Sequence, residues 1–138
     1  VYHDACFCTW RDNEGYTSPE TSNGSSRQHC LLDMLYGNMP QVQPMGTHFR
    51  VTAGGIEPVH RSMSDQQVKE ALPHAIEAAK QHRRCAFEDL IYHAVLAEDG
   101  SVQETAFASG LHVTVNLGKE AYRLPGGHVI EQEGILID

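Results

Sequence analysis

The chain has 138 residues, a length that suits one domain of ordinary size with a real core. Lysine and arginine total 10 against 18 aspartate and glutamate residues, so the formal charge is −8 with histidine neutral. This balance argues against nucleic acid as a partner, because there is no basic stripe to neutralise phosphates. No apolar run approaches the roughly 20 residues of a membrane span, so no membrane partner is expected.

The first residues, VYHDACFCTW, are rich in strand-forming types. His3 and Asp4 interrupt this otherwise apolar run near its start. A buried strand with polar residues near one end is typical of a barrel strand that delivers side chains to a site. An edge strand with a solvated Asp4 is the alternative. Because the chain opens on Val1 and its first residues are already strand-like, we interpret it as a fragment or a processed chain. No signal peptide is present, but one could have been lost with an N-terminal part, so the localisation stays open, secretion included.

A polar segment over 11–27, rich in Gly, Ser, Thr and Asn, is predicted to be a loop. Its length favours a functional or mobile loop, with simple disorder as the alternative. Gln28 to Tyr36 is predicted to be a short helix that ends at Gly37, with Pro40 as a following stop. Apolar residues fall there at helical spacing, at Leu31, Leu32, Leu35 and Tyr36. The glycines and prolines between Asn38 and Arg61 make regular structure doubtful in that segment.

The strongest helix signal lies between Ser64 and Arg83. Ser64 and Gln67 have the spacing of a capping box, and basic residues gather at the C-terminal end, where the helix dipole favours them. Pro73 is expected to kink the helix or to split it into two. The predicted apolar face consists of Val68, Leu72, Ala75, Ile76 and Ala79. The apolar segment Ala86 to Ala97 fits either a helix or a strand.

The last part of the chain, from Glu98 on, alternates apolar and polar residues. Glycine-centred turns recur every eight to ten residues, at Asp99-Gly100, Ser109-Gly110, Gly118-Lys119, Gly126-Gly127 and Glu133-Gly134. This spacing predicts a small antiparallel sheet or half-sandwich. Together with the helices it gives an α+β fold class.

Three stretches resemble, in order along the chain, one known family. They are YHD followed by TW (Tyr2–Trp10), LLDMLYGNMP (Leu31–Pro40) and SVQETAFASGLHVTVNLGKEAYRLPGG (Ser101–Gly127). Together they resemble the C-terminal part of glycoside hydrolases related to endo-α-N-acetylgalactosaminidases. In that group a (β/α)₈ catalytic barrel ends in a similar strand, a helix with an LYG-P motif follows, and a β-sandwich completes the chain. The resemblance touches both ends of the chain and is weakest across 41–84.

The resemblance implies two units: 1–97 as the terminal strand, loop and helices of the barrel, and 98–138 as a C-terminal antiparallel β-sheet module. It implies hydrolysis of an α-linked glycoside by two carboxylates that lie on earlier barrel strands. A complete barrel needs about 250 residues, so this chain is expected to lack the catalytic pair and to be inactive alone. Its expected partners are carbohydrate and the remainder of the catalytic domain, and no cofactor is expected.

His3 and Asp4 are the first candidate substrate-binding residues. By resemblance they lie at the end of the last barrel strand and face the sugar, where an imidazole and a carboxylate can hydrogen-bond to pyranose hydroxyls. The alternative is that Asp4 caps a turn and His3 is buried with its polar atoms satisfied. Trp10, the only tryptophan, is the third candidate, because it can offer a platform to a sugar ring or serve as a core aromatic.

The cysteines give weaker signals. They are Cys6, Cys8, Cys30 and Cys85, and none has the local signature of a hydrolase nucleophile. Possible metal ligands cluster at His3-Asp4 and His29-Cys30, but structural zinc prefers compact pairs such as CxxC or HxxxH, so no metal is predicted. A second function class remains open beside the hydrolase: a non-catalytic module that binds carbohydrate or protein.

Overall fold

A computed structural model describes residues 26–40 and 45–138, apart from the side chains of residues 26, 45–50, 59 and 61. In chain order the elements are α1 (Ser26–Tyr36), β1 (Met45–Thr52), β2 (Gly55–Ser62), α2 (Asp65–Cys85), β3 (Leu90–Val95), β4 (Val102–Phe107), β5 (His112–Asn116), β6 (Tyr122–Arg123), β7 (Val129–Ile130) and β8 (Ile135–Ile137). Two helices with several antiparallel sheets make the fold α+β, as predicted. Neither helix of the described ranges is long and apolar enough to cross a membrane.

A four-stranded antiparallel sheet with the order β3-β4-β5-β8 forms the main layer. The antiparallel strands predicted from Glu98 on are confirmed, and all five predicted glycine turns lie between elements. The segment 86–97, open between helix and strand, contains β3, which pairs with β4 from Leu90↔Phe107 to Val95↔Gln103. Strand β3 lies within 1–97, the first predicted unit, but it belongs to the same sheet as strands β4, β5 and β8 of the second predicted unit.

Helix α1 covers this sheet through the apolar face that its sequence predicts. Leu31 and Leu35 are fully buried and join the sheet residues Phe107, Val113 and Val115 in one core cluster. Gly37 follows the helix with a φ of +65°, the left-handed conformation expected of a C′ glycine. The predicted short helix and its stop are confirmed.

Helix α2 begins as its sequence predicts. The Ser64 side chain accepts a hydrogen bond from the backbone N–H of Gln67, and the Gln67 side chain accepts one from the backbone of Ser64. The expectation that Pro73 splits the helix is wrong, since α2 is one helix from Asp65 to Cys85. Pro73 is exposed, so water can reach the carbonyl group that the missing proline N–H leaves without its helical donor.

The predicted apolar face of α2 is wrong for its two largest residues, whereas Val68, Ala75 and Ala79 are half-buried. Leu72 and Ile76 are 43% and 50% exposed, whereas the buried residues of α2 are Ala71, Ala78, Gln81 and Cys85. Cys30 and Met34 of α1 occupy the space between the helices and pack against Ala71 and Ala78. Small residues on α2 allow this close approach, and the larger Leu72 and Ile76 are left on the outer side.

The segment between the helices forms a β-hairpin, although its glycines and prolines predicted little regular structure. Strands β1 and β2 pair in register from Met45↔Ser62 to Thr52↔Gly55 around a two-residue loop. The Thr52 hydroxyl accepts from the N–H of Gly54 and donates to the carbonyl of Gly55, which closes the turn. Pro58 is tolerated because both strands of a two-stranded ribbon are edges.

Candidate functional site

A groove of about 860 Å³ lies at one end of the four-stranded sheet, between the β3–β4 turn and the chain that follows β5. Its size falls within the range of small-molecule sites. The lining residues that offer polar side chains are Glu98, Asp99, Ser101, Asn116, Lys119, Glu120 and Tyr122. Except for Asn116, these side chains are exposed or half-buried, so the groove is open to solvent.

One wall of the groove is ordered by a turn in which Asp99 accepts hydrogen bonds from Ser101. The Asp99 Oδ1 atom receives the Ser101 hydroxyl at 2.6 Å and the Ser101 backbone N–H at 3.0 Å. These bonds lower the pKa of the Asp99 carboxyl below its usual value, the hydroxyl having the larger effect. The groove therefore presents a fixed, ionised carboxylate at neutral pH.

The floor and the opposite wall are held by the buried amide of Asn116. Its Nδ2 atom donates to the backbone oxygens of Glu120, Ile130 and Glu131 at 2.7, 3.1 and 3.1 Å. Its Oδ1 atom accepts the backbone N–H of Gly118 at 2.9 Å. Both the nitrogen and the oxygen of this amide therefore bond to the neighbouring backbone, and Asn116 holds the loop in place.

Two further bonds tie the walls together. The backbone N–H of Leu117 donates to Ser101 O at 2.7 Å, and the Tyr122 hydroxyl donates to Leu96 O at 2.9 Å. The charged side chains of the lining are three carboxylates and the one amine of Lys119. Such a surface can accept and donate hydrogen bonds to hydroxyl groups, and its negative balance disfavours anionic ligands.

A second polar cluster lies between the two helices. Its sulfur, imidazole and carboxylate ligand atoms, from Cys30, His74 and Glu77, all lie within 4.8 Å of one another. The thiol of Cys30 donates to His74 O at 3.1 Å, and Arg27 Nη1 donates to Glu77 Oε2 at 2.6 Å. Burial, then the Glu77 carboxylate, raises the pKa of the Cys30 thiol to about 12. Chain spacing did not point to this cluster, because Cys30 and His74 are 44 residues apart.

The predicted substrate-binding residues His3, Asp4 and Trp10 lie outside the described residues. Asp99-Gly100 has only a turn signal in the sequence, whereas in the structure Asp99 also lines the groove. The acidic pair Glu98-Asp99 before a glycine was the one available signal. Comparison with known proteins adds no relative, since neither a protein-family model nor a curated protein matches the chain.

Proposed function

We propose that the chain is the C-terminal part of a glycoside hydrolase that acts on α-linked glycosides and is related to endo-α-N-acetylgalactosaminidases. In this proposal the chain contains the end of the catalytic barrel and the β-module that follows it. It contributes sugar contacts and packing between barrel and β-module, and the catalytic carboxylate pair belongs to earlier barrel strands.

The observation that carries this proposal is the packing of two of the motifs on each other. The helix motif covers the second half of α1 and the residues that end it, and the last motif covers β4, β5 and β6. The Thr105 hydroxyl of β4 donates to Leu35 O of α1 at 2.6 Å inside the core. This buried bond joins the helix motif to the last motif, which supports treating the two motifs as one packed unit.

The sugar contacts in this proposal come from His3, Asp4 and Trp10. Hydrogen bonds from a carboxylate and an imidazole orient pyranose hydroxyls, and an indole ring covers the apolar face of the sugar. These contacts would position the substrate for hydrolysis and would not take part in bond cleavage.

A second candidate function is a non-catalytic module that binds carbohydrate, and the groove favours it. Asp99, Lys119 and Tyr122 place a carboxylate, an amine and a phenol along one opening. In that case sugar binding depends on the β-module alone and is independent of Asp4.

Isothermal calorimetry with methyl α-N-acetylgalactosaminide and methyl α-galactoside distinguishes the two functions, with the β-anomers as ligand controls. Three variants are compared with the unmodified chain: Asp4→Asn, Asp99→Asn and Glu131→Gln. The last is the matched control, because Glu131 is exposed and its side chain does not line the groove. Circular dichroism establishes that each variant is folded.

The hydrolase proposal expects α-anomer binding that Asp4→Asn weakens about tenfold, the effect of one charge-assisted hydrogen bond, while Asp99→Asn leaves it unchanged. The opposite pattern would replace it with the binding module. A folded chain that binds neither sugar would mean either that the sugar site needs the earlier barrel strands or that the chain is a structural module that binds no sugar.

A further inference from the structure

We propose that Cys30, His74 and Glu77 form a binding site for Zn²⁺ or a similarly borderline-soft divalent cation. The site lies between α1 and α2, on the side of α1 that packs against Ala71 and Ala78 of α2. It is separate from the groove and independent of the proposed sugar-binding function.

The two helices supply the three ligands at suitable positions. His74 and Glu77 are three residues apart on α2, so they lie on the same side of that helix, and Cys30 faces them from α1. A thiolate, an imidazole and a carboxylate are the three ligand types that zinc uses in proteins. Zinc–ligand bonds of about 2.0–2.3 Å require ligand atoms about 3.5 Å apart, so a span of at most 4.8 Å closes with side-chain rotation.

The surroundings give the site both rigidity and access. Cys30 is fully buried. The sulfur of Met34 lies 3.6 Å from the Cys30 sulfur and places a second soft, polarisable atom beside the site. The Glu77 side chain is 42% exposed, so an ion can enter from its side. Arg27 binds Glu77 Oε2 and also donates to Glu133 O at 3.2 Å, so it can orient the carboxylate while the other oxygen turns to the metal.

Metal binding at this site balances with the release of one proton. The S–H bond of Cys30 breaks, the sulfur–zinc bond forms, and the proton passes to the solvent. A bound divalent cation supplies the positive charge that a buried thiolate needs. Affinity should therefore rise with pH.

Cobalt(II) titration of the reduced chain tests the site, because a thiolate ligand gives a sulfur-to-metal charge-transfer band. Zn²⁺ added afterwards should displace Co²⁺ and remove the band. The proposal expects such a band with one equivalent of Co²⁺. Mutating residues that only hydrogen-bond to metal ligands lowers metal affinity by about 10–100-fold. Removing a ligand itself should cost more, so Cys30→Ser, His74→Gln and Glu77→Gln should each weaken binding by at least about 100-fold. Zn²⁺ should raise the thermal midpoint of the unmodified chain.

Cys85→Ser is the matched control, because Cys85 is also a buried thiol but does not belong to the cluster. It should keep the band. His74 and Glu77 are only half-buried, so their variants should fold even where Cys30→Ser does not. Absence of a charge-transfer band, or a band that survives in both His74→Gln and Glu77→Gln, would overturn the proposal.

Discussion

The Thr105 hydroxyl donates a 2.6 Å hydrogen bond to the carbonyl oxygen of Leu35, and both residues are fully buried. Leu35 is in the last turn of α1, where carbonyl groups lack a helical partner. Strand β4 therefore supplies a donor to one carbonyl group in the last turn of α1 and ties that turn to the sheet.

Replacing Thr105 with valine should lower the free energy of unfolding by about 1–3 kcal/mol. The substitution preserves shape but leaves the Leu35 carbonyl buried without its donor. Urea unfolding followed by circular dichroism measures the change. Thr114→Val is the control, because Thr114 is a threonine of the neighbouring strand β5 that is also nearly buried, at 5% exposure, whereas the donor to Leu35 O is Thr105. Equal losses in both variants would show that the hydroxyl of Thr105 adds nothing.

Asn116→Leu should destabilise the chain more than Thr105→Val. It removes the amide hydrogens that the backbone oxygens of Glu120, Ile130 and Glu131 accept, and the oxygen that accepts the Gly118 N–H, in a position that is 1% exposed. Of the three carbonyls, that of Glu131 keeps the Gly134 N–H as a donor. We expect a loss of about 3 kcal/mol or more, since each buried unsatisfied group costs about 1–3 kcal/mol. Glu120→Ala is the control, because Asn116 uses only the backbone oxygen of Glu120. A small effect of Asn116→Leu would mean that water replaces the amide.

Features that depend on neighbours in the chain were predictable, whereas features that depend on packing were not. The capping box at Ser64 and the turn at Gly37 follow from local hydrogen bonding and backbone conformation. The buried face of α2 was missed because hydrophobicity pointed to Leu72 and Ile76. Contact with a second helix selected the small Ala71 and Ala78 instead.

The candidate sites show the same division. The turn at Asp99 was visible in the sequence, but its position opposite Lys119 depends on the pairing of β4 with β5. Likewise, no spacing rule joins Cys30 to His74, because only the packing of α1 on α2 brings them together. Two-helix ligand sets of this kind need a tertiary structure to be recognised.

The thiol of Cys85 should make stability depend on pH in the alkaline range. Burial raises its pKa from 9.0 to about 11, and its sulfur donates to Gln81 O at 3.3 Å. The unfolded chain loses this proton first, so stability is fully present below pH 9 and falls as the pH rises towards 11. By pH 10 the loss should be about 1.4 kcal/mol.

Urea unfolding under reducing conditions at pH 8, 9 and 10 checks this dependence. Cys85→Ala should show a shallower fall than the unmodified chain, because all other titrating groups are shared. The comparison uses the difference in slope, so the packing lost with the sulfur does not affect it. Parallel slopes for the two chains would contradict the raised pKa of Cys85.

Replacing either of two glycines in the terminal turns with alanine should change the stability of the chain differently. A Cβ atom at Gly134 would lie 2.6 Å from the Glu131 carbonyl oxygen, within the turn that this oxygen closes by accepting the Gly134 N–H. Gly134→Ala should therefore cost about 1–3 kcal/mol, because backbone has to move. A Cβ atom at Gly126 meets only the His128 ring, at 4.0 Å, so Gly126→Ala should be neutral or stabilising by about 0.4–1 kcal/mol. Thermal unfolding of both variants measures the contrast, and a Gly134→Ala midpoint at or above that of Gly126→Ala would refute it.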